Sequence, residues 1–132
     1  MALVIRFRTA IFDVSKERSN PINPIHGESL LIWLQEKAKG QAAVTDAEAE
    51  DWGWYSFVEW NGRQYMLGSS ASDEEEGEQD REWVLQVEKQ RSFAEKLFGR
   101  EQMKPADDCA SFFMALLTQE SDFKGVAFDT EP

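Results

Sequence analysis

Residues 52–69 read WGWYSFVEWNGRQYMLGS, and this stretch decides the fold. A strand-forming run from Trp52 to Trp60 is followed by the pair Asn61-Gly62 and then by a second run, from Arg63 to Ser69. Asn-Gly between two such runs is the strongest local signal for a hairpin, because a type I′ turn needs positive φ at both of its central residues. The sequence therefore predicts an antiparallel hairpin that turns at Asn61-Gly62.

The turn also predicts the register of the hairpin, since a two-residue loop fixes which residues lie opposite each other. The expected pairs are Trp60 with Arg63, Val58 with Tyr65, Ser56 with Leu67, Glu59 with Gln64, and Phe57 with Met66. Large apolar side chains occur on both faces of this hairpin. We therefore expect it to be covered on both sides or to expose one side as a binding face.

Weaker signals place further elements around the hairpin. Alternating apolar residues predict a strand over 3–14 and a third meander strand from Glu82 to Glu88, and a short last strand is expected from Phe123 to Phe128. Three helices are predicted: Glu28 to Lys39, ended by Gly40; Phe93 to Phe98, opened by a Ser92–Glu95 capping box; and a helix after Pro105 with the apolar stripe Cys109, Phe112, Phe113, Leu116 and Leu117.

The order of these elements is strand, helix, three-strand meander, helix, helix, strand. It predicts an α+β fold of two layers, in which helices cover one face of a mostly antiparallel sheet of four to five strands. The length of 132 residues fits a single domain over 1–132. Residues 41–51 and 70–81 are acidic and poor in aliphatic side chains, and we expect both to be solvated loops.

The charge of the chain is strongly negative and unevenly distributed. The net charge is −11, and residues 41–82 contain twelve acidic and only two basic side chains. Such a field repels phosphate groups, so binding to nucleic acid or to an anionic membrane is not expected. It would attract a basic protein partner; the alternative interpretation is that the charge serves only solubility.

The expected compartment is the cytoplasm. The apolar runs are too short to cross a bilayer, and the residues after Met1 do not resemble a secretory signal. Cys109 is the only cysteine, so the chain forms no internal disulfide.

Residues with catalytic or metal-binding chemistry are few. His26 is the only histidine and has no acid–base partner close to it in sequence, and Cys109 lies on a predicted apolar helix face. The acidic run from Asp73 fails the EF-hand pattern, because Gly77 stands where an oxygen ligand is needed and Glu78 where glycine is needed. Glu59 could act as an acid or base if an apolar environment raised its pKa, although a solvated carboxylate is the simpler interpretation. No cofactor, metal or catalytic residue is predicted.

The candidate binding residues are aromatic side chains of the hairpin and glutamates of the acidic run. They are Trp52, Trp54, Tyr55, Phe57, Trp60, Tyr65, Glu74, Glu75 and Glu76. Tryptophan and tyrosine dominate the energetic centres of protein interfaces. The competing interpretation is that the aromatic residues form the hydrophobic core, since a small domain has to bury them somewhere.

In overall profile the chain resembles small acidic bacterial proteins that bind and neutralise a basic partner, such as toxin immunity proteins. The resemblance implies a single cytoplasmic domain that carries acidic residues where it meets a cationic protein. Two alternatives come from other classes. One is a small carboxylate-dependent enzyme or a carbohydrate-binding module, and the other is a structural protein that associates with itself, for example as a homodimer.

Overall fold

The fold is a six-stranded antiparallel sheet with helices packed on one of its faces. The computed structural model describes residues 2–72 and 80–131. The strands are β1 Ala2–Thr9, β2 Glu48–Glu50, β3 Gly53–Trp60, β4 Arg63–Ala71, β5 Arg81–Lys89 and β6 Lys124–Glu131. Their order across the sheet is β2-β3-β4-β5-β1-β6. The α+β class is confirmed, whereas the expected number of four to five strands was too low.

Three helices and one short 3-10 turn complete the fold of the described residues. The helices are α1 Glu28–Lys37, α2 Phe93–Leu97 and α3 Asp108–Gln119, and the 3-10 turn is Val14–Lys16. Helices α1 and α3 supply Leu30, Leu34, Phe113 and Leu117 to a core that also contains Trp83. Helix α2 contributes no buried residue. Only α1 and α3 therefore form the second layer, and the side of the sheet that they cover is called the inner face below.

The predicted hairpin is confirmed together with its register. Asn61 and Gly62 both have positive φ, 50° and 77°, as a type I′ turn requires. All five predicted pairs occur between β3 and β4: Trp60↔Arg63, Glu59↔Gln64, Val58↔Tyr65, Phe57↔Met66 and Ser56↔Leu67. The two-residue turn thus aligns the seven residue pairs of β3 and β4.

The solvated loop predicted over 41–51 was wrong in part, because Glu48–Glu50 forms a strand and the segment before it is partly buried. Val44 forms a bridge with Val58, and Glu48–Glu50 pairs with the start of β3 as the edge strand β2. Val44 and Ala47 are both buried, because this segment closes the edge of the core. At the ends of the loop predicted over 70–81, Ser70 and Ala71 belong to β4 and Arg81 belongs to β5; residues 73–79 lie outside the described part of the chain.

Several element ends also differ from the sequence prediction. β1 ends at Thr9 rather than running to residue 14, because the Thr9 hydroxyl accepts a hydrogen bond from the backbone N–H of Ile11 as the chain turns away. Helix α1 ends at Lys37, two residues early, although Gly40 has the left-handed φ of 86° that its position suggested. β6 was expected from Phe123 to Phe128; it begins one residue later, at Lys124, and continues three residues further, to Glu131.

Candidate functional site

The alternation of side chains along β3 divides the aromatic residues of the hairpin between the two faces of the sheet. Trp54 and Trp60 point to the inner face, and Trp54 is only 2% exposed. Tyr65, opposite Val58 on β4, is likewise in the core at 4% exposure. Tyr55 and Phe57 point to the opposite face, which no helix among the described residues covers. The aromatic residues of the hairpin therefore divide by the face of the sheet on which they lie: those of the inner face pack towards the helices, and those of the opposite face remain available for contact.

The three inner aromatic residues hold other parts of the structure. The Trp54 indole N–H donates to the Ile25 carbonyl at 3.1 Å. The Tyr65 hydroxyl donates to Asp107, the N-cap of α3, at 2.7 Å, and burial together with this carboxylate raises the pKa of Tyr65. The Trp60 ring packs 5.0 Å from Phe112 of α3, measured between ring centroids. Trp54 and Tyr65 are thus buried and have structural roles, whereas Trp60 packs against α3 and remains half-buried.

On the open side of the sheet, four side chains form one continuous surface, which we call the outer aromatic face: Trp52, Tyr55, Phe57 and Met66. The rings of Tyr55 and Phe57 meet edge to face with centroids 5.5 Å apart, and Phe57 lies directly across from Met66. Tyr55, Phe57 and Met66 are each half-buried. The face thus presents aromatic and thioether groups that are ordered by their neighbours and still reach solvent.

Gly68 is the floor of this surface. It lies opposite Tyr55, and the Trp52 indole covers it so closely that a Cβ at position 68 would lie 2.8 Å from Cη2 of Trp52. Only glycine leaves room for the ring at this height. Trp52 itself stands in the turn before β3 and is 38% exposed. The glycine therefore brings a residue from outside the strands onto the face.

Acidic side chains surround the outer aromatic face. Glu48 accepts a hydrogen bond from the Tyr55 hydroxyl at 2.8 Å, and this bond is the main reason that the pKa of Tyr55 is raised. Glu88 lies across from Met66, and Glu59 is exposed two residues beyond Phe57. Gln64 and Gln86 are the polar uncharged neighbours of these side chains in the sheet. The rim formed by β2, β3 and β5 is therefore negative, while Arg6 and Arg8 lie further along the same side of the sheet, on β1, beside Glu82 and Asp80.

Glu74, Glu75 and Glu76 lie outside the described residues. The chain places them between the end of β4 at Ala71 and the start of β5 at Arg81. Their candidate role stays a prediction.

Glu59 does not have the environment that an acid–base role would need. It is exposed, opposite Gln64, rather than buried among the aromatic residues. Its carboxylate is therefore in contact with water and is not enclosed in an apolar site. The simpler interpretation of a solvated carboxylate describes this residue.

His26 has an acidic partner, Glu17, that lies nine residues away in the sequence and was not predicted. Its Nδ1 lies 3.3 Å from Oε1 of Glu17, whose side chain is 2% exposed. Glu17 also accepts hydrogen bonds from the backbone N–H groups of Gly27 and Ser29 and from the Ser29 hydroxyl. Because the hydroxyl bonds the carboxylate and not the imidazole, the three residues do not form a nucleophile–base relay. Glu17 instead caps α1, whose N-cap residue Gly27 has no side chain to do so.

A second buried carboxylate is also fully engaged. Glu28 accepts hydrogen bonds from the backbone N–H of Arg18 at 2.9 Å and from the Arg18 guanidinium, which lies over the Trp54 ring at 5.2 Å. The same guanidinium donates to the Ala47 carbonyl at 2.7 Å. This network holds the loop before α1 against the segment that leads into β2 and against β3. The buried Glu28 carboxylate and the Arg18 guanidinium therefore have structural roles.

Within residues 2–72 and 80–131, no three His, Cys, Asp or Glu side chains come together in a way that could hold a metal ion. In the same part of the chain, no helix has both the length and the apolar character needed to cross a membrane. No protein-family model, curated protein or solved structure matches this chain.

Proposed function

We propose that the chain is a non-enzymatic binding protein whose outer aromatic face contacts a basic protein partner. The observation that carries the proposal is the combination of four aromatic and thioether side chains on an open sheet face with a rim of glutamates. Soluble proteins seldom leave a contiguous apolar patch unshielded unless something binds there. Glu74, Glu75 and Glu76 would add to the negative charge that attracts such a partner.

The two parts of this surface have different physical roles. Rigid aromatic side chains lose little conformational entropy on binding and supply most of the energy at the centre of an interface. Rim carboxylates act mainly on the encounter, because they attract a positively charged partner and orient it before contact. This is the arrangement expected of an immunity-type inhibitor that neutralises a cationic protein. We infer a cytoplasmic location from the same profile.

A carbohydrate ligand is the second candidate, and the position of Trp52 favours it. The Cη2–Cζ3 edge of its indole lies against Gly68 and the residue is 38% exposed, so part of the ring is open for stacking against the apolar face of a sugar. Glycan-array binding that Trp52→Ala abolishes would select this candidate. The acidic rim gives a neutral sugar no advantage, and we therefore rank it second.

The test begins with capture of partners from the source cell by the tagged chain, followed by surface plasmon resonance with each purified candidate. We expect Phe57→Ala to speed dissociation, because it removes an anchor at the centre of the face. Glu59→Lys with Glu88→Lys should mainly slow association. Matched controls on the helical side are Ile32→Ala, an exposed apolar residue of α1, and Glu36→Lys, an exposed acid. A basic partner whose kinetics respond to the controls and not to the outer-face variants would refute the proposal.

A further inference from the structure

Helix α2 carries an exposed apolar surface that the outer aromatic face does not explain. Phe93, Leu97 and Phe98 are 81%, 65% and 68% exposed, so three large apolar side chains protrude within six residues. Scattered exposed apolar residues are ordinary, but a cluster of this kind marks a contact surface.

Polar contacts, and not burial of these side chains, hold α2 in place. Ser92 and Glu95 form a complete capping box at the start of the helix. Glu95 also accepts two hydrogen bonds from the Arg63 guanidinium, at 2.9 and 2.7 Å. The helix is thereby tied to the start of β4, while its apolar side chains are left facing outwards. They are positioned for contact with another molecule.

The charge around α2 is opposite to that of the rest of the chain. Residues 89–104 contain five basic and two acidic side chains, although the whole chain has a net charge of −11. Both acidic residues are engaged by basic side chains, Glu95 by Arg63 and Glu101 by Lys89. Arg100 lies over the Phe98 ring at 5.7 Å. We call this region the α2 surface: Arg91, Phe93, Lys96, Leu97, Phe98 and Arg100.

The same molecule carries a surface complementary to this one. The α2 surface is apolar with a basic rim, and the outer aromatic face is apolar with an acidic rim. Two α2 surfaces brought together on a two-fold axis would oppose Arg91, Lys96 and Arg100 with like charges, which is unfavourable. A short helix that packs on an open sheet face also buries the apolar side chains of the helix and of the sheet in one contact. Charge complementarity therefore favours contact between unlike surfaces of two copies.

We propose that the α2 surface of one copy docks on the outer aromatic face of a second copy, head to tail. Such a heterologous contact leaves one free surface at each end, so assemblies grow with concentration unless they close into a ring. An interface centred on three side chains is small, and we expect dissociation constants on the order of 100 µM. The proposal rests on the proposed function only in sharing the outer aromatic face, for which a basic partner would compete.

The test is a mixing experiment by analytical ultracentrifugation with the purified full chain. The wild-type chain should sediment faster as its concentration rises from about 10 µM to 1 mM, on either side of that expected constant. Leu97→Glu damages only the α2 surface, and Phe57→Ala damages only the outer aromatic face; each variant alone should stay monomeric. An equal mixture should form a 1:1 dimer and nothing larger, because each variant supplies the one intact surface that the other lacks. Ile32→Glu, on α1, is the matched control and should assemble like the wild type.

Three results would overturn the proposal. They are a wild-type chain that stays monomeric at all concentrations, variants that lose assembly without restoring it on mixing, and binding of the α2 surface to phosphatidylserine vesicles in place of self-association. Circular dichroism of Phe57→Ala shows whether it folds, and Glu59→Lys, at an exposed position, tests the same face if it does not. The outcome is separable from that of the proposed function, because Leu97→Glu should leave the kinetics of a basic partner unchanged.

Discussion

At Gly62 the hairpin depends on one backbone angle. Its φ of 77° lies in the left-handed region, where a β-branched residue is strongly disfavoured. We expect Gly62→Val to lower the free energy of unfolding by about 1 kcal/mol or more. Urea denaturation measures the loss. Gly62→Asn is the matched control, because asparagine tolerates positive φ and should retain most of the stability; equal stability of the valine variant and the wild type would contradict the predicted turn.

Cys109 is expected to be unreactive in the folded protein. Its thiol is fully buried, and burial, together with the charge of Asp107, raises its pKa to about 12. A thiol-specific reagent at pH 8 should therefore label it slowly without urea and rapidly with urea. Rapid labelling of the native chain would mean that the apolar stripe of α3 faces solvent.

The same pKa shift gives Cys109 a pH dependence with a definite sign. The unfolded thiol ionises near its ordinary value of 9.0, while the folded thiol stays neutral until about 12. The contribution of this residue to stability is thus complete below pH 9 and is lost as the pH rises from 9 towards 12.

Cys109→Ser should lower the free energy of unfolding by about 1–3 kcal/mol at neutral pH, because it buries a hydroxyl without a partner.

Among the elements, α2 should be the one most sensitive to acid. Two hydrogen bonds from Arg63 are the main reason that the pKa of Glu95 falls from 4.5 to about 2. A lowered pKa stabilises the folded arrangement above pH 4.5, and this stabilisation is lost as the pH falls from 4.5 towards 2. Hydrogen exchange should show the amides of α2 losing protection in that range before those of β3 and β4.

Glu95→Gln provides the matching test of α2 at neutral pH. We expect it to lower the protection of the α2 amides selectively, since both the capping box and the Arg63 contact involve this carboxylate. Lys39→Gln, which removes an exposed ion pair with Glu36, is the control and should have little effect. Equal protection of α2 in the glutamine variant and the wild type would show that its polar contacts do not hold it.

For the whole molecule, the uneven charge predicts salt-dependent association with a basic partner. Salt screens exposed charges, so raising its concentration should slow association and change dissociation little. Replacing Glu74, Glu75 and Glu76 by lysine should slow association in the same way at low salt. Surface plasmon resonance distinguishes the two rates. Association that is equally fast at low and high salt, and unaffected by the three lysines, would assign the acidic run to solubility alone.

The sequence by itself determined what depends on residues close together in the chain. The Asn61-Gly62 turn and the register of β3 with β4 follow from allowed backbone angles and the alternation of side chains. The Ser92–Glu95 capping box closes over four residues, so it was equally visible. Tyr55 and Phe57 could be separated from Trp54 and Trp60 by alternation alone.

Only the tertiary structure decided which of those two faces is open, because that depends on where α1 and α3 pack. It also placed Trp52 on Gly68, Glu48 beside Tyr55 and Glu17 against His26, all contacts for which the sequence carries no periodic signal. β2 was missed because three residues of edge strand are stabilised by their neighbour β3 and not by their own propensity. Burial depends on how all the elements pack together. The outer aromatic face and the α2 surface remain exposed because the hydrophobic core is formed by other side chains.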